Sequence, residues 1–415
     1  MTVRCIPTEA KLELSPTNAL WMSLASRMPY TNKDSKDCGE FVRETIARMK
    51  AACKINCSND KGDWTNLREC AIDCMKEYMQ RMGSRGSINL AELVQFVTLK
   101  TSQIYLFTDA EIASKTKDTF EDFRFIGHRL NDLWMNSKTP DGERLQWADQ
   151  HDLHVSLRRV TSATSIDMPG SYIQETYNGA EPTVLKENPL NFILPAYETM
   201  WRVVLRCFIE VHLRNAPNSS TWRLVLADFL GELSNPDCMP DAFYRDSVTG
   251  LRPSDIAKEA LRLYLPSRHV YRDFDGKLFC ADIEACHRSH LLSGDNPLLF
   301  SPERWSNICP KERAEKVADK ASNAKTKALK NSEQDLGYVP FATYCPADKR
   351  ETRAFAMKTI TMLVAVLGDG LDGEWRLAEV DNLRERGIPL ESDRSAYGKL
   401  ELRTQKGSTL VGITL

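Results

Sequence analysis

Apolar residues recur at three- and four-residue spacing in segment after segment of this chain, and that period restricts it to a mostly helical fold. Phe41 to Cys53, Trp64 to Met82 and Ile88 to Leu106 each show it, with Asn89 or Ser87 as the cap of the third. Asp109 to Met135 reads as one or two further helices. Asn191 to Arg214 is the longest apolar helix, opening after Pro189 and closing at Asn215-Ala-Pro217. Trp222 to Leu233, Asp255 to Leu263 and Ala354 to Leu367 complete the set, and Gly368 to Gly373 ends the last one. Strands are expected only at Val270 to Phe274 and Leu278 to Ala281, where Asp275-Gly276 is a hairpin turn signal. Gln174 to Asn188 reads as a loop from its Asn-Gly, Pro and Glu content.

With 415 residues, no internal repeat and no linker between self-sufficient halves, one large helix-rich domain with a small sheet is expected. Lys311 to Lys330 reads as part of a charged, solvated surface insert over 311–335. Lys+Arg 55 against Asp+Glu 57 gives a net charge of -2. That leaves no electrostatic footprint for nucleic acid. Met1 to Leu14 has no apolar signal core, and no run is long enough to span a bilayer. A soluble, cytoplasmic protein with mostly free thiols is the expectation for its 12 cysteines. The pairs Cys53/Cys57 and Cys70/Cys74 have a spacing open to zinc. However, Cys70 and Cys74 sit one helical turn apart, and buried thiols acting as small hydrophobes are the favoured reading.

Four fragments stand in order along the chain: Trp64-Thr-Asn-Leu-Arg68, Glu259-Ala-Leu-Arg262, Pro302-Glu-Arg-Trp305 and Pro340-Phe-Ala-Thr-Tyr-Cys-Pro-Ala347. Glu259 and Arg262 at i and i+3 share a helix face. Together with Leu-Tyr-Leu-Pro266 and Ala285-Cys-His-Arg288, this order and spacing resembles the cytochrome P-450 superfamily, heme-thiolate monooxygenases of the fungal type. The likeness runs from about Trp64 to Leu367.

The resemblance implies a P-450-like fold spanning 1–415 as a single domain, with a shortened N-terminal region over 1–60 that lacks a membrane anchor. It implies a buried ion network of Glu259, Arg262 and Arg304. It places Trp64, Arg68, His287 and Arg288 toward a heme, and Cys345 as the axial ligand of its iron. It also puts an acid-alcohol pair, Glu198 and Thr199, in the long helix, where they would deliver protons. There the small step that opens the family's helix is replaced by Pro195-Ala196, followed by Tyr197.

The ligand loop departs from the family pattern. Only three residues separate Phe341 from Cys345, where the family has six, and no Gly stands between them. Three missing residues shorten the loop by about 10 Å of contour, and the absent Gly removes the residue suited to a tight turn beneath a porphyrin. The favoured expectation is therefore an enzyme of fungal specialised metabolism that needs no cofactor. It would catalyse a non-redox cyclisation, such as a Diels-Alder-type cycloaddition, of a hydrophobic terpenoid or polyketide. Tyr197, Glu198 and Thr199 would be its catalytic residues. One alternative is a heme-thiolate monooxygenase that uses Cys345, heme and a reductase on the same kind of substrate. Another is a ligand-binding carrier without turnover.

Overall fold

The computed structural model of the chain describes residues 4–5, 43, 46–53, 63–107, 118–136, 145, 147–161, 188–235, 242–266, 268–274, 277–308, 332–341, 345, 354–371, 375–380, 383, 385–391 and 394–404. Helices dominate, with two small antiparallel sheets. The expected loop over 174–187, the turn at Asp275-Gly276 and nearly all of the expected 311–335 insert lie outside the described residues.

The first long helix, α1, spans Asp63–Met82. A short strand, β2 (Ser87–Asn89), follows the terminal β1 (Arg4–Cys5) in strand order. The next helix, α2, is Leu90–Leu106, two residues shorter at its start than its apolar pattern suggests. Residues 87–89 are diverted into pairing with β6 (Glu401–Thr404), so Asn89 is left as the cap and its Oδ1 accepts from Glu92 N–H at 2.9 Å. Phe120–Asn136 forms α3 and His151–Thr161 forms α4.

The expected uninterrupted helix, α5, covers residues 190–213 but is made of four joined pieces. Leu190–Ile193 and Met200–Phe208 are α-helical, and Leu194–Glu198 and Ile209–Leu213 are π-helical. Pro195 explains the first widening: it has no N–H for the carbonyl four residues back, and its ring crowds that carbonyl.

Ser219–Glu232 is α6 and Pro253–Leu263 is α7. Pro253 opens α7 at a position where a missing N–H is harmless, and Asp255 accepts from Arg252 N–H at 2.9 Å. The strands β3 (His269–Phe274) and β4 (Lys277–Asp282) pair as an antiparallel hairpin, with β1 on the outer edge of β4. Three short helices follow: α8 (Ile283–His287), α9 (His290–Ser293) and α10 (Arg304–Asn307). The last long helix, α11, is Phe355–Gly370, and β5 (Trp375–Leu377) pairs with β6.

α11 is buried along nearly all of its length and packs against α1, α5, α6 and α7, which makes it the axis of the core. It closes at Gly370, inside the Gly368 to Gly373 stretch expected to end it. A Cβ at Gly368 would stand 2.7 Å from His212 Nε2, so glycine is what lets α5 and α11 approach so closely. Residues 332–335, the described end of the expected surface insert, are helical. Glu333 is buried there, and its carboxylate is 2.5 Å from Lys258 Nζ. Gln334 and Asp335 beside it are exposed. Cys53 and Cys74 lie in the core, and burial, the leading cause for each, pushes their thiols up to about 12. Among the described residues, no helix is long and apolar enough to cross a membrane.

Candidate functional site

Glu259 and Arg262 sit on one face of α7 at zero side-chain exposure and form two parallel bonds of 2.9 Å, Nε to Oε2 and Nη2 to Oε1. Arg304 Nε reaches the same Oε1 at 3.0 Å. Ser301 N–H donates to Oε1 at 3.0 Å and Trp305 Nε1–H to Oε2 at 3.1 Å. The remaining donors of Arg262 go to Ser293 Oγ and to the carbonyls of His287, Pro297 and Leu299. A buried charge at this depth is tolerable only when so completely paired. The outcome is geometric, because one carboxylate fixes α7, α10 and the connection over 296–301 relative to one another.

His287 extends that frame toward the cysteine segment. Its ring is fully buried and stacks on Tyr338 at 5.2 Å. Nε2 accepts from Val339 N–H at 2.9 Å, while Nδ1 lies 3.4 Å from Arg262 O. These partners require a neutral ring with the proton on Nδ1. Burial supplies the energetic reason, pulling His287 down to about 4. Arg288 turns the other way. It donates to Gly387 O at 2.5 Å and pairs with Glu284 at 2.6 Å.

Trp64 and Arg68 share a face of α1. The Trp64 ring is buried, 5.5 Å from the Phe355 ring, with Lys358 Nζ 5.6 Å from its centre. Arg68 Nε donates to Leu230 O at 2.9 Å, and Thr65 Oγ1 to Leu233 O at 2.9 Å. α1 therefore caps carbonyls at the end of α6.

His287 has both ring nitrogens engaged at zero exposure. Arg68 and Arg288 spend donors on backbone carbonyls of two different segments. Cys345 is half-buried, and its charge adds to burial in raising Cys53.

The three expected catalytic residues do not converge. Tyr197 is fully buried, and its hydroxyl is 3.6 Å from where a Cβ on Gly127 would stand, so it faces α3. Glu198 is 3% exposed, with Oε1 3.7 Å from Arg202 Nη2. The Thr199 hydroxyl donates to Pro195 O at 3.1 Å. Consecutive residues on a helix point in different directions, and the π-helical turn does not bring them together.

A larger charged group runs along the same helix. Glu198, Arg202, Arg206, Glu210 and Arg214 recur every four residues along α5, and the first four are buried. Arg202 Nη1 donates to Glu391 O at 3.0 Å, and burial lowers its pKa. Arg206 Nη2 reaches the carbonyls of Glu385 and Ile388 at 3.3 and 3.5 Å, and its guanidinium lies 4.4 Å from the Tyr264 ring centre. Glu210 accepts from Tyr264 Oη at 2.5 Å and pairs with Arg214 at 2.9 Å and Arg386 at 3.4 Å. The four-residue period was visible in the sequence, but the many apolar residues between its members masked it.

No protein-family model and no curated protein matches this chain. Among solved structures, it is similar to a point variant of cytochrome P450 OleT in complex with arachidonic acid, at 12% identity and a TM-score of 0.47, covering 92% of this chain and 81% of that one. It is similar to ligand-free cytochrome P450 OleT at 11% identity and a TM-score of 0.42, with the same coverage. It is also similar to cytochrome P450SP alpha in complex with (R)-ibuprophen, at 12% identity and a TM-score of 0.42, covering 92% and 83%.

Proposed function

We propose that this chain is a cytochrome P-450-like scaffold that works without heme, catalysing a non-redox cyclisation of a hydrophobic small molecule of the terpenoid or polyketide kind. The observation that carries this reading is the commitment of the heme-facing residues to protein partners: His287 to Val339 N–H and Arg288 and Arg68 to backbone carbonyls. The short, glycine-free interval from Phe341 to Cys345 agrees with it. A Diels-Alder-type cycloaddition exchanges two π bonds for two σ bonds and needs no electron donor. The protein's contribution is to hold the reacting ends together and to place a hydrogen-bond donor at an activating carbonyl. The Tyr197 hydroxyl, which faces α3, is the donor assigned to that role.

One observation favours the monooxygenase reading. The long helix is widened over Leu194–Glu198, at the place where the resemblance calls for an opening, and Thr199 bonds back across it. In that case heme would supply the oxygen chemistry, with Cys345 as ligand.

Expression with heme precursor separates the two. The cyclase reading expects a protein without a Soret band that converts a linear polyene intermediate in the absence of a reductase. A Soret band that shifts under carbon monoxide after reduction, with no turnover by heme-free protein, would refute it.

A further inference from the structure

We infer that Arg206 is the anchor of a binding site for an oxyanion, a carboxylate or phosphate group, roofed by the backbone of residues 385–391. The site is separate from the heme question and stands or falls independently of the proposed cyclisation.

Arg206 is 1% exposed and lacks a carboxylate partner; its Nε–H has no acceptor. Its neighbour one turn on, Glu210, is already occupied by Tyr264, Arg214 and Arg386. The two bonds that Arg206 Nη2 does make, at 3.3 and 3.5 Å, are long for a charged donor and go to neutral carbonyls. The same edge of the guanidinium carries the free Nε–H, and that edge is the fork that binds a carboxylate or phosphate side-on. A buried guanidinium left in this state is costly, and an anion with two oxygens on one centre removes the cost.

The roof can yield. Residues 385–391 are held chiefly by carbonyls that accept from arginines: Glu391 O from Arg202 and Glu385 O and Ile388 O from Arg206 on α5, and Gly387 O from Arg288. Glu385 is exposed and Arg386 keeps about a third of its side chain in solvent, so the site is one chain layer from the surface. An incoming oxyanion would replace the Glu385 and Ile388 carbonyls at Arg206. Arg386, paired with Glu210 at 3.4 Å, is the second cation within reach.

Thermal unfolding of the full chain in sodium phosphate, sodium acetate and sodium chloride at matched ionic strength and pH tests the site. Phosphate or acetate is expected to raise the midpoint saturably above chloride. A response to phosphate alone assigns a phosphate ligand, and a response to acetate alone assigns a carboxylate. R206Q is expected to abolish the rise. If R206Q does not fold, R206K, which keeps the charge and loses the fork, is expected to weaken binding at least tenfold in calorimetric titration. Equal midpoints in all three salts, or unchanged affinity in R206K, would overturn the site.

Discussion

Arg262 and Arg206 are equally deep in this molecule, each 1% exposed, and are treated in opposite ways. Arg262 faces Glu259 through two bonds of 2.9 Å and hands its remaining donors to four oxygens of the 287–299 connection. Arg206 has the ring and hydroxyl of Tyr264, two distant carbonyls and an unused Nε–H. The first region is a closed network, in which every charge specifies geometry. The second is an open one, in which Arg206 keeps an unused Nε–H. Buried charge of the first kind holds a scaffold in shape; buried charge of the second kind is arranged for something that is not part of the chain.

The largest expected effect falls on the closed network. Glu259→Ala would strand Arg262, Arg304, Trp305 Nε1 and Ser301 N–H together, and a loss of about 3–5 kcal/mol is expected. Urea unfolding would read it as a lower midpoint with an unchanged slope. A loss below about 1 kcal/mol would show that this network is no more essential than an exposed pair.

Acid should attack the same region next. His287 is held neutral, at about 4 in the folded chain against about 6.5 unfolded, and His212, buried beside Phe208, at about 3. A group lowered on folding takes its proton more readily when unfolded, so the unfolded state gains as pH falls. Stability is therefore expected to be unaffected by these rings above about pH 6.5 and to fall progressively from there toward pH 4 and 3. The His287 share is on the order of 3 kcal/mol. His287→Gln, measured over the same range, should flatten the upper part of that decline.

Much of this was legible in the sequence, and the exceptions have a common cause. The three- and four-residue periods locate α1, α2, α6, α7 and α11, because burial of one face is a local property. The i, i+3 spacing of Glu259 and Arg262 places their side chains together for the same reason. What escaped depends on backbone. Pro195 replaces the small step that opens the family's helix, yet its missing N–H widens the helix there. The absent Cβ of Gly368, in the stretch that ends α11, makes room for His212. Residues 385–391 meet Arg202, Arg206 and Arg288 through carbonyls that every residue type carries, so no pattern of side chains announces them.

Gly368→Ala sharpens the comparison from the side of α5. The new methyl would overlap the His212 ring, and backbone on both helices is locked by packing. A cost of about 1–3 kcal/mol is expected in thermal or urea unfolding. Gly370→Ala meets only the flexible Met75 side chain, at 2.7 Å from Cγ and Cε, and should cost less. Equal costs at the two positions would mean that α5 and α11 are free to slide apart.

The smallest expected effect is the most discriminating. Arg206→Met keeps much of the volume and removes a buried charge with no carboxylate partner. It gives up only two long bonds to Glu385 and Ile388 and the contact with Tyr264. Replacing a poorly paired buried ion by a hydrophobe is often neutral or stabilising, so a change within about 1 kcal/mol of the parent, in either direction, is expected without added anion. Arg262→Met should instead lose several kcal/mol, because it leaves Glu259 buried with one cation fewer. Chemical unfolding of both variants in one buffer decides the matter. If Arg206→Met falls as far as Arg262→Met, the two guanidinium groups are structural in the same sense and the contrast between the regions collapses. If it does not, the charge at 206 is retained at no benefit to folding, which is the signature of a group kept for a ligand.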